Sequence, residues 1–354
     1  MISIVRRILL LAATAILLAA CAADDAAQEI AEASKAVAQH DYARAEPIFR
    51  RYAETGNSTA EFQLGLLYAN GQGVAKDPAE AIRLYRLAAA QGNALAMNNL
   101  AIFYDKGAPG LPQDRGQALA LWRQSAEKGD PAAMRNLGFA LTSGPHASET
   151  AEEGLKWLRL AASKGESSAM TEIGVIYEQG TVVPRDYGEA RLWYRRAVDQ
   201  GEPAAMVDLG NIHRFGRGVP PDAAAAYRLY YQAAEKGQPT AMNDVGAQLL
   251  SGSGVEANLV EGAKWIKRAA ERGQPNAMHT LGSLYARGIV VPKNLSRAYL
   301  WLILALKHYP PKDPHRPGAA TMAGVVALAL THSQIARIDK QIASWEPLPA
   351  DAPI

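Results

Sequence analysis

Cysteine is nearly absent, with a single residue, Cys21, in 354. That excludes an internal disulfide framework and any metal site needing several thiolates. Aromatics are scarce at 7%, and β-branched runs are few, so a strand-rich core is not expected. Excess charge is missing too. Of 37 basic residues, Arg6 and Arg7 lie in a segment that reads as a removable leader; without them 35 remain, equal to the 35 acidic ones. A balanced chain offers no clustered basic face, so nucleic acid is not an expected partner. The signatures of common catalytic machinery are absent as well: no Gly-x-Ser-x-Gly elbow, no phosphate loop and no His-Glu-x-x-His. The seven histidines, His40, His146, His213, His279, His308, His315 and His332, are dispersed. No enzyme, cofactor or metal site is expected.

What is present begins at the N-terminus. Arg6 and Arg7 precede the apolar run Ile8 to Leu18, shorter than the roughly 20 residues a membrane-spanning helix needs. These are the proportions of a secretory signal. The tetrad Leu18-Ala19-Ala20-Cys21 resembles the bacterial lipobox, in which the leader is cut before a cysteine that is then acylated. The resemblance implies a signal peptide over 1–20, a lipidated tether over 21–27 and lipidation at Cys21. Acyl chains add on the order of 0.8 kcal/mol of membrane affinity per buried methylene, and several make anchoring stable. Ala22 and Ala23 follow where an Asp would signal inner-membrane retention, so the expected location is the outer membrane, facing the periplasm.

The rest of the chain repeats itself. Glycines close Ala-rich helical segments at Gly56, Gly92, Gly129, Gly165, Gly201, Gly237 and Gly273, spaced 36 or 37 apart. A second register, Ala60, Ala96, Ala133, Ala169, Ala205, Ala241 and Ala277, opens segments of the form Ala-x-x-x-(Leu/Ile/Val)-(Gly/Ala). Coupled registers over this distance mark a repeat architecture. Within one unit Ala60, Leu64 and Tyr68 share a helix face, helix A, where Gly65 admits a close neighbour. The turn Gly71-Gln72-Gly73-Val74 breaks the pattern, and Asp77-Pro78 supplies the N-cap and first turn of helix B. Small residues stand eleven positions before the closing glycines (Ala81, Ala118, Gly154, Ala190, Ala226, Gly262 and, by extension, Ala298), with aromatics three or four residues later (Tyr85, Trp122, Trp157, Trp193, Tyr230, Trp265, Trp301). Each unit is expected to be a helical hairpin with interlocking small and large residues.

The Ala-x-x-x-Leu-Gly-x-x-Tyr segment, the Gly-x-Gly-Val turn, the Asp before helix B, the aromatic and the Ala-Ala-x-x-Gly ending together resemble Sel-one-like repeats, relatives of the tetratricopeptide repeat. The resemblance implies an all-α fold: a right-handed superhelical solenoid of about seven hairpins over 60–309, with N-terminal capping helices over 28–59 and C-terminal ones over 310–345. Of the latter, one is expected from Met322 to Leu330 and a second from Thr331 to Trp345, with Thr331 as N-cap. The tail 346–354 is expected to be disordered. Repeat three departs from the pattern, with Ser143-Gly144-Pro145-His146 in place of the Gly-x-Gly-Val turn.

In such arrays ligands usually lie along helix A on the concave side. Two residues before the repeated Leu/Ile/Val stand Phe62, Asn98, Arg135, Thr171, Val207, Asn243 and His279, a variable and often polar position among constrained neighbours. The candidate groove is therefore Asn98, Arg135, Thr171, Asn211, Arg214, Asn243, His279 and Arg287. The expected function is a protein-protein interaction scaffold binding a periplasmic or outer-membrane protein, and the resemblance implies settings such as polysaccharide secretion, cell-wall maintenance or envelope stress signalling. A glycan or peptidoglycan-fragment binder is the alternative, and it would place exposed aromatics along the groove. A hydrolase would need His213, Asp208 and Glu172 to converge. His213 occupies the helix A slot filled elsewhere by Tyr68, Tyr104, Tyr177 and Tyr285, where it reads as an aromatic-sized filler. Relatives proposed to act on drugs or as hydrolases rely on paired cysteines absent here. The Ala-Met dipeptides at 96–97, 133–134, 169–170, 205–206, 241–242 and 277–278 follow the repeat period and read as packing residues.

Overall fold

The computed structural model describes residues 24–144, 147–349 and 352. The leader, Cys21 and His146 lie outside them. The described residues form eighteen helices and no strand. Two compact units divide the chain, Met1–Glu166 and Ser167–Ile354. In the first, α1 (24–38) and α2 (Tyr42–Glu54) precede the hairpins α3 (Ser58–Asn70) with α4 (Pro78–Ala90), α5 (Ala94–Lys106) with α6 (Arg115–Glu127), and α7 (Pro131–Thr142) with α8 (Ala147–Ser163). In the second, the pairs are α9 (Ser167–Gln179) with α10 (Tyr187–Asp199), α11 (Pro203–Phe215) with α12 (Ala223–Glu235), α13 (Pro239–Ser251) with α14 (Leu259–Glu271), and α15 (Pro275–Arg287) with α16 (Leu295–His308). Helices α17 (Arg316–Ala327) and α18 (His332–Ala343) cap the last pair, both packing on α16. This is an all-α repeat solenoid.

The closing glycines work as expected. All seven have positive φ, from 81° to 97°. Gly92 N–H donates to Ala89 C=O at 2.8 Å and Asn93 N–H to Ala88 C=O at 3.1 Å, and Gly237 and Gln238 repeat the pattern on Ala234 and Ala233. This double bond pattern is the Schellman motif, and it satisfies carbonyls a helix end would otherwise leave orphaned. The residue after each glycine is at once the N-cap of the next helix A. Asn93 accepts from Ala96 N–H, and Pro131, Pro203, Pro239 and Pro275 occupy the first helical turn where no N–H is needed.

Helix A turns back onto helix B through another recurring bond. Asp77 N–H donates to Tyr68 C=O at 2.9 Å, and Asp222 N–H to His213 C=O at 2.8 Å. In repeat three the N-cap position, Thr150, falls inside α8, which starts four residues early. The Thr150 hydroxyl takes over, donating to Leu141 C=O at 2.6 Å.

The small-to-large interlock follows the aromatic pattern at Tyr85 and Tyr230 and sits one residue off it in the units whose aromatic is Trp157, Trp193, Trp265 or Trp301. A Cβ on Gly65 would lie 2.7 Å from Tyr85, and one on Gly174 2.5 Å from Tyr194. The partners of Gly138, Gly246 and Gly282 are Leu158, Ile266 and Leu302. The residue facing the helix A glycine is thus seven positions before the closing glycine, or before Tyr309, which stands in its place in the last unit, whereas Trp157, Trp193, Trp265 and Trp301 stand eight before it.

Two C-terminal expectations are corrected. Helix α17 starts at Arg316, six residues before the apolar segment at Met322, because Pro317 is favourable in a first helical turn. The tail is not free over its described part: Leu348 N–H donates to Glu271 C=O at 2.8 Å, and Arg272 reaches Ala352 C=O at 2.7 Å. Trp345 stands edge-on to His308 and Trp301, with centroids 5.2 and 6.2 Å away, which fixes where that tail begins. Thr331 caps α18 as expected, in a capping box with Gln334.

Candidate functional site

The position two residues before the repeated Leu/Ile/Val is largely a packing column. Phe62, Asn98, Thr171 and Val207 are buried. Asn98 accepts a hydrogen bond from Asn136 at 2.8 Å, joining α5 to α7, and Arg135 in turn donates to Asn136 Oδ1 at 2.8 Å. The Thr171 hydroxyl donates back to Ser167 C=O at 3.2 Å within its own helix. His279 is half-buried against the cap, its Cε1 3.5 Å from where a Cβ on Gly318 would sit. Burial and His315 both lower its pKa. Arg287 is exposed at the end of α15.

Asn211, Arg214 and Asn243 do come together, on the A helices of the second unit. Arg214 pairs with Asp244 across α11 and α13 at 3.6 Å, and the Tyr230 hydroxyl donates to Asn211 Oδ1 at 2.8 Å. Nearby, Glu178 accepts from the Tyr194 hydroxyl at 2.7 Å and from Arg217. Arg214 and Arg217 both lie over the Phe215 ring, each 5.2 Å from its centroid, and Phe215 is 56% exposed. Two guanidiniums on one exposed ring, each also tied to a carboxylate, make a preorganised aromatic-arginine platform.

The carboxylates of this face are perturbed. Burial pushes Asp208 up to about 6, helped by the negative charge of Glu178 and opposed by Arg217. Asp244 also rises to about 6 through burial, with Arg214 opposing. The Tyr230 hydroxyl is raised to about 12, again chiefly by burial.

Glu178, Phe215, Arg217 and Asp244 were not singled out from the sequence, and Asp208 was named there only as part of a hydrolase set. One signal was available: Glu172, Asp208 and Asp244 recur at intervals of 36 residues, so reading charges column by column places them on the same face of successive A helices.

His213, Asp208 and Glu172 do not assemble into one site. Asp208 faces Glu178 and Arg217, whereas His213 lines a separate cleft with Arg195, Asp222 and Arg228. Among the described residues no group of three or more His, Cys, Asp or Glu side chains is placed to hold a metal ion.

Tandem two-helix hairpins of constant period, joined by glycine-closed turns, define an α-helical repeat protein. Seven consecutive segments, 58–93, 94–130, 131–166, 167–202, 203–238, 239–274 and 275–308, match the Sel1 repeat, and the chain belongs to the Sel1 repeat family. Among solved structures it is similar to a protective antigen present in uropathogenic Escherichia coli strains displaying an SLR fold, at 29% identity and a TM-score of 0.65. That similarity covers 86% of this chain and 64% of the other, so this chain spans less than two thirds of the antigen's length. A Sel1 repeat protein from Oxalobacter formigenes is 27% identical with a TM-score of 0.57, covering 88% of this chain and 89% of its own. Yeast Tom70, at 12% identity and a TM-score of 0.52 over 86% of this chain and 64% of its own, shares the fold alone. No match is found among curated proteins.

Proposed function

We propose that this chain is a non-catalytic interaction scaffold of the cell envelope, tethered by an acylated Cys21 to the outer membrane and facing the periplasm, which binds a protein partner through the A-helix face of its second unit. The observation that carries this reading is the Phe215 platform. An exposed aromatic flanked by two positioned arginines has the composition of an interface hot spot, and side chains already held by ion pairs lose little entropy on binding. Membership of the Sel1 repeat family supports it, since such repeats commonly serve as protein-interaction scaffolds. Asn211 and Asn243 add donors and acceptors at the same face.

The test is crosslinking of the lipid-anchored protein in living cells, with mass spectrometry of captured species, comparing wild type with Arg214→Ala/Phe215→Ala. One envelope protein enriched by wild type and lost in the variant is expected; recovery of glycan or muropeptide with no protein would contradict the scaffold. In the same cells Cys21→Ala should leave the membrane fraction, and a variant that stays membrane-bound would overturn the tether.

A further inference from the structure

A cleft between one helix B and the hairpin that follows it is formed in each unit by residues at equivalent repeat positions, with different ion pairing. In the first unit it has a volume of about 360 Å³ and is lined by Arg50, Glu61, Glu80 and Arg83 among others. Both arginines are satisfied there. Arg50 is bound by Glu46 and donates to the Tyr68 hydroxyl at 2.9 Å, while Arg83 grips Glu80 with two bonds of 2.7 and 2.8 Å.

In the second unit the equivalent cleft, between α10 and the α11–α12 hairpin, has a volume of about 650 Å³. The two arginines persist as Arg195 and Arg228, but each of their partners has been replaced. Glu46 becomes Arg191, Tyr68 becomes His213, Glu80 becomes Ala225, and the buried Glu61 becomes Met206. Arg191, Arg195 and Arg228 make no ion pair or side-chain hydrogen bond among the described residues. Burial lowers the pKa of His213, and all three arginines add to that, while Asp222 opposes them. Asp222 and Asp199 are the acidic groups that remain in the lining, and the Asp222 carboxylate caps α12 by accepting from Ala225 N–H at 2.8 Å.

We propose that this cleft binds a phosphoryl group, with Arg195 and Arg228 as its principal ligands, Arg191 adding charge and His213 adding a ring N–H donor. Guanidinium groups freed from carboxylates match the planar geometry of phosphate oxygens, and charge-assisted bonds of this kind are about twice as strong as neutral ones. The cleft exceeds a lone phosphate, so the phosphoryl group can belong to a larger molecule. This site is built from residues other than the Phe215 platform and does not depend on it.

The test follows the His213 ring protons by NMR as inorganic phosphate is added to the full chain. Saturable shifts confined to His213 are expected, with its pKa rising as the dianion binds. Ala225→Glu restores the carboxylate that repeat one uses and so keeps a fold this chain already tolerates; it should weaken binding about tenfold or more, as should Arg195→Gln. Unchanged affinity in both variants, or equal shifts from sodium chloride at the same ionic strength, would overturn the site. Glycerol phosphate binding tenfold tighter than inorganic phosphate would identify a phospholipid headgroup as the source of the phosphoryl group, and equal binding would identify free phosphate.

Discussion

Asp208 shows what a single residue costs this fold. Its carboxylate is held up at about 6 by burial and by Glu178, well above the ordinary 3.8. Asp244 shares the upward shift but has Arg214 beside it. The folded chain therefore keeps protons on these groups that the unfolded chain releases nearer pH 4. Stability contributed by these groups is present at low pH, falls as pH rises from about 4 to 6 and is flat above that. Asp208→Asn removes a charge that has no direct ion pair, so urea unfolding at pH 7.5 should show it more stable by about 1 kcal/mol, with a shallower loss between pH 4 and 6. A less stable variant at pH 7.5 would show that Asp208 is paired in solution. At this scale the sequence was only partly legible. His213 stood out as the one histidine in a tyrosine slot, but its three arginines come from positions that reveal themselves only when the repeats are aligned column by column. Arg214 and Asp244 are 30 residues apart, and their pairing depends on adjacent A helices lying side by side.

At the scale of the element, the closing glycines, the proline first turns and the Asp caps were all readable, because each answers a local backbone demand that recurs every repeat. The interlock was read in register at Tyr85 and Tyr230 and one residue off at Trp157, Trp193, Trp265 and Trp301. Large aromatics draw attention at the eighth position before the closing glycine, yet geometry puts whatever stands at the seventh against the glycine of helix A, be it Tyr194, Leu158 or Ile266. Bulk was the visible property, and direction around the helix decided the contact. Val290 marks a turn where the local rule is broken. It occupies the slot of Gly73, Gly218 and Gly254, with φ of 66°, in a region a β-branched residue adopts at a cost of about 1–2 kcal/mol. Glycine loses about 0.5–1 kcal/mol through extra chain entropy, so the strain outweighs it. Val290→Gly should raise unfolding stability by roughly 0.5 kcal/mol in denaturant melts, and a destabilised variant would mean that the half-exposed side chain contributes packing that offsets its strain.

For the whole molecule, periodicity was enough to define the solenoid, since stacking neighbouring hairpins buries apolar faces that no single hairpin could cover. The ends were less legible, because capping elements lie outside the repeat. The start of α17 and the seating of Leu348 on Glu271 carry no periodic signal. The proposed binding face was partly legible: the column first chosen on helix A is mostly buried between A helices, and the exposed chemistry of that helix lies at Phe215 and its arginines. That this face carries the partner is the central claim, and a photo-crosslinking residue placed at Asn211 or Asn243, with Leu192 on helix B as the control position, tests it most directly. The account predicts a discrete protein adduct in cells from Asn211 and Asn243 and none from Leu192; an adduct from Leu192 alone would contradict it and move the partner to the helix B side.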